Sequence, residues 1–410
     1  MANDKQNTNP NVPNKREQNG IYSGYAEREV LRPQGNVPNK GNVPKLRFPE
    51  FSEDWVQVPL SEISERVTRK NKNNISKLPL TISAQYGLVD QITFFNKVVA
   101  SVDMSNYYLL KKGEFAYNKS YSSDYPWGAI KRLDRYDEGA LSTLYICFNI
   151  KKCTDSDFAV QYFESPKWHR EVSNIAGEGA RNHGLLNIAV GDFFNTKHYL
   201  PSSIDEQQKI AKLLSLLDQR IATQNKIIEQ LQSLIKGIVV SITAENPNTR
   251  IDKCLVCHST TLQENHIEDF GDFPVYGANG ICGYTVNADF NEPAILIVKD
   301  GSGVGNVRFV NGKYSVIGTQ NILTPQNRFF LKYIFYCLQA FNFVPYKTGM
   351  AIPHIYFKDY GKAKIYCPNF EQQVKIASQI DLIESKIEIE TQLLNKYEEQ
   401  KKFLLSNMFI

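Results

Sequence analysis

The stretch Ile204-Asp-Glu-Gln-Gln-Lys-Ile-Ala211 has a counterpart near the end of the chain, Phe370-Glu-Gln-Gln-Val-Lys-Ile-Ala377. The first stretch opens a run of apolar positions spaced alternately by four and three residues. This spacing is typical of a helix that packs along one side against another helix. The run consists of Ile210, Leu214, Leu217, Ile221, Gln224, Ile228, Leu231, Ile235 and Ile238, with Gln224 as its polar member. The pattern predicts a central long helix within residues 201–245.

The second stretch opens a matching run. The shift that aligns the two stretches also carries each position of the first run onto Ile376, Ile380, Ile383, Ile387, Glu390, Leu394, Tyr397, Lys401 and Leu404, seven of which are apolar or aromatic. A C-terminal long helix is therefore predicted within residues 369–410. The segments before the two helices also match loosely, with Ile188 to Phe193 set against Ile355 to Tyr360. We interpret the chain as an internal duplication in the order domain, helix, domain, helix.

An apolar stripe of this length has to be buried. The simplest partner for each helix is the other copy, and a pseudo-twofold relation between the copies would make the helices an antiparallel coiled coil. Two equivalent surfaces would then be offered to two copies of one partner. The alternative is that both helices belong to the core of a larger enzyme.

The remaining sequence predicts two domains of class α+β and a tail. Residues 45–200 and 246–368 mix short β-branched and aromatic runs with turn residues, as mixed α/β domains do. Residues 1–44 repeat the unit Asn-Val-Pro and contain few apolar residues, which predicts a disordered N-terminal tail. The chain's net charge of +4 lies entirely within residues 1–47, so the charge of the body gives no indication of nucleic acid.

Composition narrows the cellular setting. Uninterrupted apolar runs are far shorter than the roughly 18 residues of a membrane helix, and the N-terminal residues are polar. The chain contains seven cysteines, an odd number that favours reduced thiols over a disulfide framework. We therefore expect a soluble cytoplasmic protein without a membrane segment.

Three motifs could carry chemistry, but none does so convincingly. Cys254-Leu-Val-Cys257-His258 has the spacing for haem attachment, which requires export, and a zinc site would need further ligands. Gly301-Ser-Gly-Val-Gly305 lies between strand-like runs and predicts a hairpin turn rather than a phosphate loop. Asp124-Tyr-Pro-Trp127 is similar to a base-gripping motif of adenine methyltransferases, but its second position is tyrosine where the motif has proline. The pattern favours a binding protein without catalytic residues or a metal site.

Both domains contain basic, amide, hydroxyl and aromatic side chains at expected turns and strand ends. Arginine and lysine bind guanine edges, asparagine and glutamine bind adenine, and any donor can bind phosphate. The candidate DNA contacts are Asn118, Lys119, Ser120, Tyr121, Lys131, Arg132, Arg181, His183, Lys299, Ser302, Asn306, Arg308, Gln320, Asn321 and Lys347. Gln207, Arg220 and Lys386, on helix faces outside the apolar runs, are candidates for partner docking.

With these features together, the chain resembles the specificity subunits of type I restriction–modification systems. The resemblance rests on the paired helix openings, on the entry from Val43 to Trp55, and on Phe273-Pro-Val-Tyr-Gly-Ala-Asn-Gly-Ile-Cys-Gly283. It implies two target-recognition domains that each read one half of a split double-stranded DNA site, separated by the helix pair. The repetitive tail is longer than is usual in this family.

The resemblance also implies the partners. Two modification subunits would hold S-adenosylmethionine and methylate adenine, and restriction subunits would use ATP and Mg²⁺ to translocate and cut DNA. No cofactor would reside in this chain. Two other hypotheses remain at this point: a coiled-coil adaptor that binds only proteins, and a solitary duplicated enzyme.

Overall fold

The computed structural model describes residues 42–96, 100–177, 184–263, 267, 270–326, 328–349 and 352–410. It confirms the mixed α/β sheets and the connecting long helix that the sequence predicts. Of the predicted tail, only Asn42, Val43 and Pro44 are among the described residues. Contacts divide the chain into two compact units. The first contains the described residues up to Asp155 together with Lys167–Gln207 and Asn407–Ile410, and the second contains Ser156–Pro166 and Gln208–Ser406.

The strands are short. In chain order they are β1 (Val56–Pro59), β2 (Ser64–Arg66), β3 (Pro79–Ser83), β4 (Gly87–Asp90), β5 (Tyr108–Lys111), β6 (Phe115–Asn118), β7 (Ala129–Arg132), β8 (Glu138–Leu141), β9 (Ile146–Ile150), β10 (Lys197–Leu200), β11 (Thr249–Arg250), β12 (Leu255–His258), β13 (Phe273–Gly277), β14 (Gly280–Thr285), β15 (Ala294–Val298), β16 (Val307–Val310), β17 (Ser315–Val316), β18 (Gln320–Pro325) and β19 (Lys364–Ile365).

The helices differ widely in length. They are α1 (Leu60–Ile63), α2 (Gln91–Phe95), α3 (Ser156–Glu164), α4 (His169–Ile175), α5 (Val190–Asn195), α6 (Ile204–Ala244), α7 (Ile251–Cys254), α8 (Leu331–Gln339), α9 (Phe357–Tyr360) and α10 (Phe370–Asn407). Single 3₁₀ turns occur at Lys72–Asn74, Pro166–Trp168 and Val344–Tyr346. With a rise of 1.5 Å per residue, α6 and α10 are each about 60 Å long.

The first unit contains a short ribbon and two four-stranded sheets. In the ribbon, β1 pairs antiparallel with β10, so the strand that opens the domain lies beside the strand that precedes α6. The sheets have the strand orders β2-β9-β6-β7 and β4-β3-β8-β5, and the pair β3–β8 is parallel. Stacked aromatic rings fill the interior, with Tyr117 and Phe193 centred 4.9 Å apart.

The second unit has closely similar strand orders. Its ribbon pairs β11 with β19, the strand that precedes α10. One sheet has the order β12-β18-β15-β16, and the other has the order β14-β13-β17 with the parallel pair β13–β17. The main core joins this domain to both long helices, because Val239, Ile242, Ala377 and Ile380 belong to one buried cluster with residues of α8.

Local sequence accounts for where the long helices begin. The Ser203 hydroxyl accepts a hydrogen bond from the Glu206 amide at 3.3 Å, and the Asn369 side chain accepts one from the Gln372 amide at 2.9 Å. Serine and asparagine are favoured at this capping position because their oxygens satisfy free amides of the first turn. Pro247 follows the end of α6, where a proline stops helix propagation.

Within the second unit, two polar pairs join the long helices, and the predicted apolar positions lie on enclosed sides of both. All 18 positions are buried or half-buried. Asp218 pairs with Lys401, and Gln224 bonds to Glu390 farther along α6, so the partner's number falls as that of α6 rises. The same trend continues to Val239 and Ile242, which share a core cluster with Ala377 and Ile380.

Among the described residues, α6 has the length and composition to cross a membrane, with a mean hydropathy of 1.3 over its most apolar 18 residues. The sequence expectation differs because it rests on uninterrupted apolar runs, and polar residues interrupt the apolar residues of α6. The finding is weak support for a membrane segment, because core helices also pass such a test. One side of α6 is in fact packed in protein, where Val239 and Ile242 are buried.

A buried histidine makes the first unit sensitive to acid. The His198 ring, on β10, lies 2.8 Å from the Thr196 hydroxyl, and burial lowers its pKa to about 4. The unfolded chain binds this proton near pH 6.5, so it holds more protons than the folded chain between pH 6.5 and 4, and stability falls as pH falls through that window. The expected loss is roughly 3 kcal/mol.

Denaturant unfolding between pH 7 and pH 4 checks this prediction. His198→Gln removes the titrating ring and should flatten the dependence of stability on pH. Part of that dependence should remain in the variant, because burial also lowers the pKa of His169 to about 4. His258→Gln is the matched control, because His258 is exposed on β12. An unchanged slope in His198→Gln would contradict the assignment.

Candidate nucleic-acid interface

In the first domain, several predicted contacts lie together at one sheet edge. Asn118 ends β6, and Ser120 forms a strand bridge with Leu185. The Tyr121 amide donates to the Gly184 carbonyl at 3.0 Å, and the Leu186 amide donates to the Lys119 carbonyl at 2.9 Å. The segment 118–121 is thus held beside residues 184–186, with Ser120 exposed and its neighbours half-buried.

The neighbouring strand β7 carries Lys131 and Arg132, which lie opposite Ala116 and Phe115 in the sheet. The Arg132 guanidinium donates to Asp134 at 2.7 Å and lies 6.0 Å from the centre of the Phe115 ring. To bind a DNA base, the Arg132 guanidinium would have to give up or share its bond with the Asp134 carboxylate. Arg181 and His183 lie outside the described residues, immediately before Gly184.

In the second domain, the glycine-rich segment is the turn of a hairpin. Strands β15 and β16 pair antiparallel from Ala294↔Val310 to Ile297↔Val307, which confirms the predicted hairpin. Gly301 and Gly305 both have φ of +94°, a conformation that favours glycine. Lys299 is half-buried at the base of this turn, whereas Ser302 and Asn306 are exposed on it.

A second segment joins the hairpin turn. Asp300 forms a strand bridge with His354, which also bridges to Thr348. The Gly301 amide donates to the Pro353 carbonyl at 3.0 Å. These bonds bring exposed Lys347 to the same end of the domain as the hairpin turn, so that polar side chains of two segments face solvent together.

Neighbouring groups hold the side chain of Arg308, on β16, in place. Its guanidinium lies 5.9 Å from the centre of the Tyr276 ring and 3.5 Å from the Gly277 carbonyl. A side chain at Gly280, where φ is +129°, would approach the same guanidinium. Stacking on an aromatic ring orders an arginine while leaving donors for a further partner.

Two candidates are corrected by the structure. Gln320 is 1% exposed and donates to the Tyr276 carbonyl at 3.1 Å, and Asn321 is 6% exposed and donates to the Tyr360 hydroxyl at 2.9 Å. Both belong to β18, an inner strand of its sheet, so their amides support the domain instead of facing DNA. The direction of a strand side chain depends on pairing that the local sequence does not reveal.

The cysteine motif is divided between two elements. Cys254 ends α7 and is buried with its sulfur 3.8 Å from that of Cys367, whereas Cys257 lies on β12. His258 contacts the Thr324 hydroxyl at 2.9 Å. Across the part of the chain that the structure describes, no cluster of three metal-ligating side chains occurs.

The two repeated glutamines have matching structural roles. The Gln207 amide donates to the Pro201 carbonyl at 2.9 Å, and its oxygen accepts from the amide of Asp155, just before α3, at 2.8 Å. The Gln373 amide donates to the Pro368 carbonyl at 2.8 Å, and its oxygen accepts from the amide of Phe330, just before α8, at 3.0 Å. Because Gln207 is only 2% exposed, the prediction that it docks a partner is wrong.

The other two docking candidates face solvent. Arg220 is exposed on α6, and Lys386 is exposed on α10 with its ammonium paired to Glu390. Their positions leave the docking prediction open for both.

Sequence reasoning missed the role of the entry segment. The Arg47 guanidinium donates to both carboxylate oxygens of Glu206, at 2.7 and 2.8 Å, and the Trp55 indole donates to the same carboxylate at 3.2 Å. The hydrogen bond to Glu206 raises the pKa of Arg47. The Leu46 amide also donates to the Asn407 carbonyl, so this segment joins the two chain ends of the first unit. Arg47 and Trp55 of the entry segment therefore have a structural role.

Comparisons with known proteins agree with this geometry. Residues 256–399 match the family model of the type I restriction modification DNA specificity domain. The chain is 26% identical over 27% of its length to a type I restriction enzyme specificity subunit of Escherichia coli. It is 24% identical over 55% of its length to a putative type I specificity subunit of Mycoplasma genitalium. These alignments cover 27% and 64% of the two relatives.

Two solved structures share the fold over nearly the whole chain. The S subunit of a type I restriction–modification system from M. genitalium superposes with a TM-score of 0.57 and 17% identity, covering 90% of this chain and 99% of that one. A chain from a structural study of complex assembly and conformational transition of a type I restriction–modification system superposes with a TM-score of 0.52 and 15% identity. This match covers 87% of the present chain and 97% of the other. The paired helix openings, the family model over residues 256–399 and the shared fold agree with one another: the chain is similar to the specificity subunits of type I restriction–modification systems.

Proposed function

We propose that this chain reads a bipartite, gapped sequence in double-stranded DNA and positions modification and restriction subunits on it. Residues 45–200 form the first target-recognition domain in this proposal, and residues 246–368 form the second. The polar segments around Ser120 and Ser302 are the candidate readers of the two half-sites, together with Arg308. Each supplies donors and acceptors that can bind base edges or phosphates.

The observation that carries the proposal is a pair of matching hydrogen-bond patterns in the two halves of the chain, which supports an internal duplication. Gln207 and Gln373 hold equivalent places in the two copies and make the same two hydrogen bonds, each to the proline before its helix and to the backbone before a domain helix. The ribbon and one four-stranded sheet have corresponding strand orders in the two domains, whereas the other sheet has four strands in the first domain and three in the second. A chain with two copies of one binding domain is suited to a site with two separate halves.

The helix pair supports a fixed spacing between those halves. Contacts of Asp218 with Lys401 and of Gln224 with Glu390 favour an antiparallel coiled coil with pseudo-twofold symmetry. A continuous helix pair is stiff over lengths of about 60 Å. The number of base pairs between the half-sites would then follow from helix length, as half-site spacing follows from dimer geometry in other DNA-binding proteins.

The chemistry would belong to the partners. We propose that the chain is non-catalytic and cytoplasmic, and that it binds two modification subunits through its helices, with Arg220 and Lys386 as candidate contacts. S-adenosylmethionine would be held by those subunits, and ATP and Mg²⁺ by the restriction subunits. Because residues 48–410 carry no net charge, partners would supply much of the phosphate-binding charge.

Selection of DNA from a random duplex library tests this proposal. The full chain, co-purified with its modification subunits, should enrich two short unlike motifs separated by a constant number of unspecified base pairs. Modification subunits purified without the chain provide the control and should enrich no gapped motif. A complex that forms but enriches no sequence would favour a protein-only adaptor and contradict the proposal.

A further inference from the structure

The middle of the helix pair contains an unusual buried layer. The structure describes α6 and α10 throughout. Between Leu217 and Val239, the only buried side chain of α6 is Gln224, and between Ile380 and Leu405 the only buried side chain of α10 is Glu390. They are 5% and 7% exposed. Apolar neighbours such as Ile221 and Ile387 are only half-buried, so the most enclosed groups of this region are polar.

These two side chains satisfy each other. The Gln224 amide donates to the backbone carbonyl of Glu390 at 3.1 Å and also to its carboxylate. Lys386, one turn earlier on α10, pairs with the other carboxylate oxygen. The hydrogen bonds from Lys386 and Gln224 lower the pKa of Glu390 below its usual range, so the carboxylate is ionised at neutral pH.

The apolar layers do not by themselves fix one alignment of α6 along α10. Isoleucine and leucine recur every seven residues, so a slip of one heptad replaces one apolar contact with another. The polar layer responds differently. After such a slip Gln224 would face Ile383 or Tyr397, and Glu390 would face Leu217 or Leu231. The buried Gln224 amide and the Glu390 carboxylate would then lose the hydrogen bonds that join them, which is strongly unfavourable.

We propose that Gln224 and Glu390 set the register of the two long helices and thereby the gap between the two DNA half-sites. The first part concerns the folded chain alone, and the second rests on the proposed function. The two residues occupy the same position of the repeat, as expected where a twofold axis crosses an antiparallel pair. A heptad slip would move one helix along the other by about 10 Å.

A distance measurement on the full chain tests the first part. Spin labels attached to noncanonical ketone residues at exposed Lys212 and Ser385 leave the seven native cysteines unlabelled. The unaltered helix pair should give one narrow distance. The double variant Gln224→Leu with Glu390→Leu should add a population displaced by about 10 Å. Its melting temperature should be unchanged or higher, because apolar replacements of buried polar pairs are often stabilising.

Single variants and a matched control complete the test. Gln224→Leu or Glu390→Leu alone leaves one polar group unsatisfied and should lower the melting temperature by about 2–10 °C. The control pair Gln230→Leu with Glu388→Leu changes exposed residues of the same types on the same helices and should alter neither distance nor melting temperature. A double leucine variant with one unchanged narrow distance would overturn the proposal, because the domains alone would then set the register.

Methylation motifs in a host carrying the double variant test the second part. A mixture of two gaps that differ by about three base pairs is expected. If the distances broaden while the unaltered chain supports no gapped motif, the proposed function fails and the register role stands. If the unaltered chain supports a gapped motif and the double variant keeps its single gap despite broadened distances, the link between register and gap is refuted.

Discussion

Lengthening both long helices by seven residues on the same side of the Gln224–Glu390 layer should lengthen the DNA gap by about three base pairs. The two insertions follow Thr223 and Glu390, so that the polar layer stays intact and each helix gains one heptad. Seven residues add about 10 Å of helix, and base pairs stack at about 3.4 Å. Neither half-site should change, because both domains keep their sequences.

This insertion also predicts a loss of affinity. Three base pairs rotate the second half-site by about 100° around the DNA axis, whereas a heptad insertion turns the helix face only slightly. The complex must therefore twist or bend the DNA, which opposes binding. The readout is gap length in a methylome or in DNA selection.

An insertion in α6 alone is the control for this design. It leaves the extra heptad without a partner on α10 and should abolish folding of the pair or recognition. A gap that stays constant in the double insertion, or a changed half-site, would contradict the role of the helices as the spacer.

Replacing residues 246–368 with the corresponding domain of another specificity subunit should change one half of the recognised motif and leave the other half and the gap intact. The second domain has its own sheets and a separate buried cluster between them, which favours independent readout. Its contact with α10 must be preserved. The Tyr336 hydroxyl oxygen lies 2.7 Å from a carboxylate oxygen of Asp381 and 2.7 Å from one of Glu384, and Lys332 pairs with the same carboxylates.

The donor domain should therefore carry tyrosine and lysine at these two positions of α8. A reciprocal exchange of residues 45–200 should alter the opposite half-site, which makes the two exchanges controls for each other. A change in both halves from either exchange would show that the domains do not read independently. If neither half-site changed after either exchange, base recognition would have to reside outside the two domains.

The long helices were the most predictable part of this structure. Their signal is local: apolar residues at alternating steps of four and three, with Ser203 and Asn369 able to cap the first turns. The polar exceptions Gln224 and Glu390 were visible in the same pattern. Their mutual contact depends on how two distant segments align, and the sequence alone offered only the constant shift between the two copies as an indication of it.

Strand pairing accounts for most of what could not be predicted. The parallel pair β3–β8 joins segments that are far apart in the sequence, and such pairing depends on the whole domain. Consequently, the burial of Gln320 and Asn321 was not foreseen, since neighbouring strands decide which way a side chain points. Gln207 was assigned to a docking surface because helix periodicity does not show that a proline carbonyl and the Asp155 amide enclose its side chain.

The most direct test of the account is single-molecule methylome sequencing of a host that carries this gene with intact genes for its partner subunits, compared with the same host lacking only this gene. The account predicts one adenine-methylation motif with two unlike halves and a constant gap, which disappears with the gene and returns when it is restored. The absence of any gapped motif that depends on the gene, with the partner subunits expressed, would contradict it.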